Sequence, residues 1–205
     1  MRTSVVVRGL LPVAVAGVLS ACHHRVAPMT AASCEPAPAQ GALDMNIAQL
    51  PGTYAVIFVA TGGPRAGQTA TGRMILRPQD PAMVAVGHPD TSVLVSQPTI
   101  GQLDLALEDV GATRMGDPMA ANDTMPGVGF YVTRLRNGEV RGVVARVGSG
   151  SNARGMMLFD GGYFALYVRS IATDGIAGGW ASAPGGTIGQ EARGHFCAVR
   201  IADGS

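Results

Sequence analysis

The chain has 205 residues, of which 14% are charged and 5% aromatic, so it is long enough for one ordinary domain with its own core. All 15 basic residues are arginine, and 14 acidic residues nearly balance them. This composition lacks the basic excess that is typical of nucleic-acid-binding proteins, so no nucleic-acid partner is expected.

The first residues have the features of an export signal. Arg2 and Arg8 precede an uninterrupted apolar run, Gly9–Leu19, which is followed by the small residues Ser20 and Ala21. The run is shorter than the roughly 20 residues that a membrane-spanning helix needs. A basic start, a short apolar run and small residues before a break predict a signal peptide over residues 1–21.

The four residues Leu19-Ser20-Ala21-Cys22 resemble the lipobox of bacterial lipoproteins at each position. The resemblance implies that Cys22 becomes the mature N terminus, with diacylglycerol on its sulfur and a fatty acid such as palmitate on its amino group. Several acyl chains anchor a protein durably, because each buried methylene contributes about 0.8 kcal/mol. The alternative is an ordinary secretory peptide, which would leave Cys22 as a plain thiol.

A tether is predicted between this anchor and the folded domain. Residues 22–50 are rich in Ala and Pro and lack strand periodicity, so they are expected to hold a domain over residues 51–205 off the membrane. In the best-studied envelopes an Asp after the lipidated cysteine retains a lipoprotein in the inner membrane. His23 at that position therefore implies the outer membrane, with the domain facing the periplasm or the cell surface.

Two further cysteines, Cys34 and Cys197, lie near the two ends of the mature chain. In an exported protein such a pair most simply forms one disulfide. By chain entropy the long loop that it closes would contribute on the order of 4–5 kcal/mol. Two free thiols, or a catalytic cysteine, remain the alternatives.

From Gly52 onward the pattern is one of short strands separated by turn residues, with no convincing long helix. Gly72 and Gly194 fall inside strands, where glycine marks the bends that barrels require. Successive strands bury their edges best by closure, so the fold class is all-β, an antiparallel up-and-down barrel of roughly 8–10 strands. The predicted strands are Thr53–Thr61, Gln68–Arg77, Gln102–Glu108, Gly129–Arg136, Glu139–Val147, Arg154–Phe159, Tyr163–Arg169, Gly175–Ala183 and Glu191–Ile201, and the short candidates are Ala82–Gly87 and Ser92–Ser96.

Asn137-Gly138 is a strong hairpin signal, and it fixes a pairing register if the turn has two residues. Tyr131 then faces Val144 on one side of the ribbon, and Arg134 faces Arg141 on the other. Like charges directly opposite are unfavourable. The two arginines are therefore expected on a solvated face or at a contact with a small anionic ligand.

The stretch Gly52-Thr53-Tyr54 resembles the Gly-x-Trp opening of lipocalins and related calycin barrels, with Tyr in place of Trp. In that family an arginine near the last strand packs over the aromatic ring, and Arg193 or Arg200 would do so here. The resemblance implies an up-and-down barrel over residues 52–201 that often holds a small hydrophobic ligand. Trp180 is expected mainly in the core, and the candidate ligand contacts are Tyr54, Arg134, Arg141 and Trp180.

Other chemistry is weakly indicated. The histidines, at positions 23, 24, 88 and 195, lack metal-ligand spacing, so neither a metal nor a cofactor is expected. The loop Asp109–Pro126, with three Asp and three Met, is a lid, a partner-binding loop or simply disordered.

We therefore predict a non-enzymatic, lipid-anchored envelope barrel. It binds a small apolar ligand or acts as a structural or interaction module, and an interior filled by side chains would favour the module. The alternative is an envelope hydrolase with Asp and His residues on its loops. Nothing in the sequence indicates an oligomeric state.

Overall fold

The structure is a computed structural model that describes residues 33–35, 45–79, 93–113, 127–148, 163–184 and 191–201. Cys22, the predicted signal peptide, His23, His24 and His88 lie outside these residues. So do the predicted strands Ala82–Gly87 and Arg154–Phe159, and residues 114–126 of the long loop.

Eight antiparallel strands form one closed barrel in chain order, which confirms the predicted fold class. Each strand pairs with the next, and β8 returns to pair with β1. Two short 3-10 turns, Ile47–Gln49 and Leu107–Val110, flank the strands. The strands are β1 Gly52–Gly62, β2 Thr69–Pro78, β3 Val93–Leu105, β4 Gly127–Leu135, β5 Val140–Gly148, β6 Tyr163–Ile171, β7 Gly175–Ala183 and β8 Ala192–Ile201.

The interior is one continuous apolar core to which all eight strands contribute. Alternation along each strand sends every second side chain inward. Met74 and Leu76 of β2 and Leu103 of β3 are buried as their alternation predicts. Among the described residues, this core lies within residues 45–201.

The strands are strongly staggered around the barrel. The stagger can be followed by stepping from Ala60 on β1 to its partner on β8, and then from each residue to its partner on the next strand, until the path reaches β2. The path ends at Pro78. Pro78 lies two positions beyond Leu76, which is the partner of Gly52 at the start of β1. The path therefore returns near the opposite end of β1. Eight strands with such a stagger enclose an interior that side chains can fill or that can hold one small ligand. The intervening residues are Gly194, Trp180, Leu166, Ala145, Phe130 and Thr99.

Two strand glycines lie where no side chain fits. A Cβ on Gly194 would be 1.8 Å from the carbonyl oxygen of Val59, and one on Gly72 would be 2.0 Å from that of Asp104. Gly142, by contrast, has nothing within 4 Å of its Cβ position. The backbone approach at Gly72 and Gly194 agrees with the bends that strongly curved sheets place at glycine.

The predicted strands Ser92–Ser96 and Gln102–Glu108 lie largely in one strand, β3, so the separation between them was wrong. The last residues of the second one, Leu107 and Glu108, belong instead to the turn Leu107–Val110. The register shifts between Ser96 and Thr99, which marks a bulge that contains Pro98. The Pro98 carbonyl still accepts a hydrogen bond from the Gln79 amide at 2.8 Å. Proline is tolerated here because a bulge needs no ladder donor from it.

The predicted pairing of Arg134 with Arg141 was also wrong, although that of Tyr131 with Val144 is confirmed. The Gly138 amide donates to the Leu135 carbonyl at 2.9 Å, and Gly138 has a φ of 88°. The turn therefore holds three residues, and Arg134 pairs with Val140. Arg141 becomes the extra residue of a bulge, which removes the like-charge contact.

The predicted disulfide joins Cys34 to Cys197 on β8, with their Cα atoms 5.6 Å apart. His195 Nε2 lies 2.9 Å from the Cys34 carbonyl oxygen, so residues 33–35 dock on the outer face of β8. Ile57, the cross-strand partner of Cys197, alternates outward yet is only 2% exposed, as expected beneath a docked segment. Among the described residues, no helix is long and apolar enough to cross a membrane.

Candidate functional site

The barrel end where β1 begins is fastened by Arg200, the direct partner of Tyr54 across β8 and β1. The guanidinium carbon lies 4.9 Å from the centroid of the Tyr54 ring. The same group donates hydrogen bonds to the carbonyls of Pro51 at 2.8 Å and Thr173 at 3.0 Å, and also to that of Gln49. One arginine thus joins the N-terminal segment, the turn after β6 and the last strand.

Tyr54 completes this closure from inside the barrel. Its hydroxyl accepts a hydrogen bond from Arg200 at 2.6 Å and lies within donating distance of the Gln49 and Leu50 carbonyls. Burial raises the pKa of the Tyr54 hydroxyl, and the charge and hydrogen bond of Arg200 offset part of that rise. Of the two arginines that the lipocalin resemblance offered, Arg200 is therefore the one that packs over the aromatic ring.

The opposite end is closed differently, by the turn Leu107–Val110 at the start of the long loop. Leu107 and Val110 are fully buried in the barrel core, and the turn lies against β1 and β2. Gly111, with a φ of 73°, ends the turn. The Thr113 amide then donates to Ser182 Oγ on β7 at 2.9 Å. Apolar burial and this neutral hydrogen bond hold residues 107–113, which we call the plug.

Four of the buried aromatic rings form one cluster in the interior. Phe58 stacks on Phe196 at a centroid distance of 5.6 Å, and Phe164 and Trp180 contact each other at 6.1 Å. Phe58 on β1 also approaches Phe164 on β6 to 6.2 Å. Because β1 and β6 are not neighbours in the sheet, that contact spans the interior. The Trp180 indole N–H donates to the His195 carbonyl at 3.2 Å.

The four predicted ligand contacts occupy different parts of the barrel. Tyr54 belongs to the fastened end, and Trp180 belongs to the aromatic cluster. Arg134 donates to the Gly138 carbonyl at 3.0 Å beside the β4–β5 turn, and Arg141 is exposed on the bulge. Their contact with a ligand stays a prediction.

Phe196 and Leu107 were not among the predicted site residues. Phe196 alternates inward along the predicted last strand, which is a usable signal for an interior position. Its stacking on Phe58 depends on the pairing of β8 with β1, which connects the two ends of the chain. Leu107 falls inside the predicted strand Gln102–Glu108, but the turn that carries it across the barrel end has no distinct sequence signal.

The described residues contain no group of three or more His, Cys, Asp or Glu side chains that could hold a metal ion. Asp104 pairs with Arg73 across β2 and β3, and His195 is engaged with the Cys34 carbonyl. The acids Asp117 and Asp123 of the long loop lie outside the described residues. The described part of the chain therefore adds no specific support for the hydrolase alternative.

Neither a family model nor a curated protein matches this sequence. Among solved structures, one similar chain is described as EF1p2_mFAP2b bound to DFHBI, with 11% identity, a TM-score of 0.37, and coverage of 78% of this chain and 99% of that one. Another is a redesigned beta barrel, mFAP1, bound to DFHBI, with 10% identity, a TM-score of 0.34, and coverage of 75% and 96%. We transfer no ligand or activity from either to this chain.

Proposed function

We propose that the protein is a lipid-anchored, non-enzymatic barrel of the bacterial cell envelope that takes up a small apolar ligand. The ligand enters at the end closed by the plug. The observation that carries this proposal is the difference between the two ends of an apolar interior: Arg200 fastens one end, and apolar burial chiefly covers the other.

The energetics of the two ends support the direction of entry. Hydrogen bonds from a charged group contribute about 1.5–3 kcal/mol each, so opening the Arg200 end would cost several such bonds. Opening the plug exposes Leu107 and Val110, which costs about 1.5–3 kcal/mol per side chain. An apolar ligand that enters beneath the plug replaces much of that buried contact. The β-strand ladder stays intact throughout.

The interior favours a flat apolar or aromatic ligand. Phe58, Phe164, Trp180 and Phe196 offer ring faces and edges, and aromatic pairs gain about 0.5–1.5 kcal/mol beyond their burial. Ser182 Oγ and the Thr113 amide are polar groups beside the plug. The ligand separates rings that now contact one another, so binding requires a shift of these side chains.

Trp180, the single tryptophan of the chain, makes the proposal testable. Residues 23–205 are titrated with an apolar dye that accepts energy from tryptophan, and the Trp180 emission is followed. We expect saturable quenching. Ser182→Ala removes the acceptor of the plug hydrogen bond, worth about 1 kcal/mol, and should speed association about fivefold. Thr71→Ala, at an exposed site on β2, is the control. Absence of saturable quenching by such dyes contradicts uptake.

The anchor rests on Leu19-Ser20-Ala21-Cys22 and is tested separately. Cys22→Ala should move the protein from the membrane fraction to the soluble fraction of its own host. Cys34→Ala, which removes the disulfide but leaves the lipidation site, should remain with the membrane. Membrane retention of the Cys22 variant would refute the lipid anchor.

A second candidate function, an interaction module, is favoured by the contact of Phe58 with Phe164 across the interior. A barrel filled by its own side chains needs no ligand for stability. The same Trp180 titration separates the two functions, since a module would leave the emission unchanged.

A further inference from the structure

The outer surface of half the barrel has an unusual distribution of charge. Strands β5 to β8 contain no Asp or Glu, whereas they contain five arginines. Arg200 serves the fastened end. Arg141, Arg169 and Arg193 are exposed, and Arg146 is half-buried with its guanidinium carbon 5.5 Å from the centroid of the Tyr131 ring. Within these four strands every Asp, Glu or Arg position is an arginine, and the described acids of this half, Glu139, Asp174 and Glu191, lie in the turns beside the strands. The chain after Cys22 would have 13 arginines against 14 acids.

Two exposed tyrosines lie on the same side. Tyr163 and Tyr167 are four residues apart on β6, so they share its outer face, with exposures of 37% and 41%. Their partners on β7 are Ala183 and Gly179, so neither ring has a large side chain directly beside it on β7. The Tyr163 hydroxyl donates to Glu191 at 3.1 Å, at the edge of this surface. We call the outer surface of β6 to β8 formed by Arg169, Arg193, Tyr163 and Tyr167 the arginine–tyrosine face.

The tether is attached to the same side. Cys34 is bonded to Cys197, whose partner on β7 is Ala177, and His195 beside it pairs with Gly179. Gly179 in turn pairs with Tyr167. From Cys22 to Cys34 the chain spans at most about 40 Å when fully extended. The disulfide therefore keeps this side of the barrel within a short distance of the proposed anchor.

We propose that the arginine–tyrosine face docks on an anionic lipid surface. Each arginine near such a surface contributes attraction, and tyrosine, with an apolar ring and a polar tip, suits the interface between headgroups and acyl chains. The proposal rests on the lipid anchor of the proposed function, because the anchor supplies the nearby membrane. Contact through this face would place the barrel axis parallel to the membrane plane, so that the plugged end points along the membrane.

The test uses residues 23–205, which contain the described core and the disulfide but no lipid. Co-sedimentation with vesicles of phosphatidylglycerol and phosphatidylcholine is measured at low salt, with pure phosphatidylcholine vesicles as reference. We expect binding to the anionic vesicles that weakens as salt rises. The double variant Arg169→Ser with Arg193→Ser should bind about 25-fold more weakly, on the basis of about fivefold for each arginine.

The matched control is Arg65→Ser with Arg77→Ser, two exposed arginines of the β1–β2 hairpin that change net charge equally. This control variant should bind anionic vesicles less than twofold more weakly than the wild type. A second pair, Tyr163→Thr with Tyr167→Thr, should weaken binding at high salt as well, whereas Leu94→Thr on β3 should not. Thermal melts exclude unfolding as the cause.

Several results would overturn the proposal. The proposal fails if the protein does not bind anionic vesicles, or if the face and control variants lose the same amount of vesicle binding. It also fails if the protein captures an acidic protein but binds no vesicles. Because the tested chain has no lipid, its failure is distinct from failure of the anchor, which the Cys22→Ala fractionation measures. It is also distinct from failure of ligand uptake, which the Trp180 titration measures.

Discussion

At the scale of single residues, Arg200 carries more of the closure than any other described side chain at its end of the barrel. It bonds the Pro51 and Thr173 carbonyls and covers the Tyr54 ring. Arg200→Ala should therefore lower the free energy of unfolding by about 2–4 kcal/mol. Urea denaturation measures this, with Arg193→Ala, exposed on the same strand, expected within about 0.5 kcal/mol of the wild type. Equal effects of the two variants would contradict the assigned role.

Tyr54 predicts a dependence of stability on pH. Burial raises its pKa above the ordinary value of 10.0, and Arg200 offsets part of the rise. The unfolded chain therefore loses this proton at a lower pH than the folded chain does. The contribution of Tyr54 is complete below pH 10 and is lost as pH rises through the folded pKa.

The measurement is the free energy of unfolding between pH 8 and about pH 11, near the usual tyrosine range. Tyr54→Phe should show a shallower decline than the wild type over the alkaline part of that range. A residual decline is expected, because burial also raises the pKa of Tyr131 and Tyr163. An identical alkaline slope in the variant would refute the assignment to Tyr54.

Two strand glycines, Gly194 and Gly142, allow a matched test of whether a neighbouring backbone lies too close for a side chain. Gly194→Ala would place a Cβ 1.8 Å from the Val59 carbonyl oxygen, so the β1–β8 ladder must shift, and we expect a loss of more than about 2 kcal/mol. Gly142→Ala meets nothing within 4 Å and should be neutral or stabilising by about 0.4–1 kcal/mol. Denaturation midpoints compare the two. Similar losses of stability in the two variants would show that intrinsic strand propensity, and not the close approach of the Val59 carbonyl oxygen, governs both sites.

At the scale of elements, local patterns predicted the strands well where alternation or turn residues were clear. The predicted strand Gly175–Ala183 has the bounds of β7, and Tyr131 pairs with Val144 as the Asn-Gly turn indicated. Bulges account for the errors, since Pro98 and Arg141 each lie at a register shift that depends on the neighbouring strand. The choice of Arg200 over Arg193 likewise required the β1–β8 register.

The disulfide links an outer segment to the barrel without entering its core. Chain entropy gives about 5 kcal/mol for so long a loop. Cys34→Ser with Cys197→Ser should lower stability by less than this, because residues 33–35 can then leave β8 and regain freedom in the folded protein too. We expect about 2–4 kcal/mol by chemical denaturation, with the barrel still folded. Loss of the β-sheet circular dichroism at 25 °C would contradict a barrel that folds without this bond.

At the scale of the whole molecule, the barrel has two unlike ends and two unlike sides. The Arg200 end is fastened by charged hydrogen bonds, and the other end is covered by the plug. Arg169, Arg193 and the docked Cys34 segment lie on the β6 to β8 side. Alternation predicted which side chains face inward, but which contacts close each end required the three-dimensional pairing.

The central claim is that this barrel holds a small apolar molecule, and native mass spectrometry of the full-length protein extracted from its own envelope tests it most directly. We expect a chain that lacks residues 1–21 and carries acyl groups on Cys22, together with a second, dissociable mass that is released on mild activation. A lipidated chain that shows no such adduct, and that takes up no added fatty acid or aromatic dye, would contradict the claim.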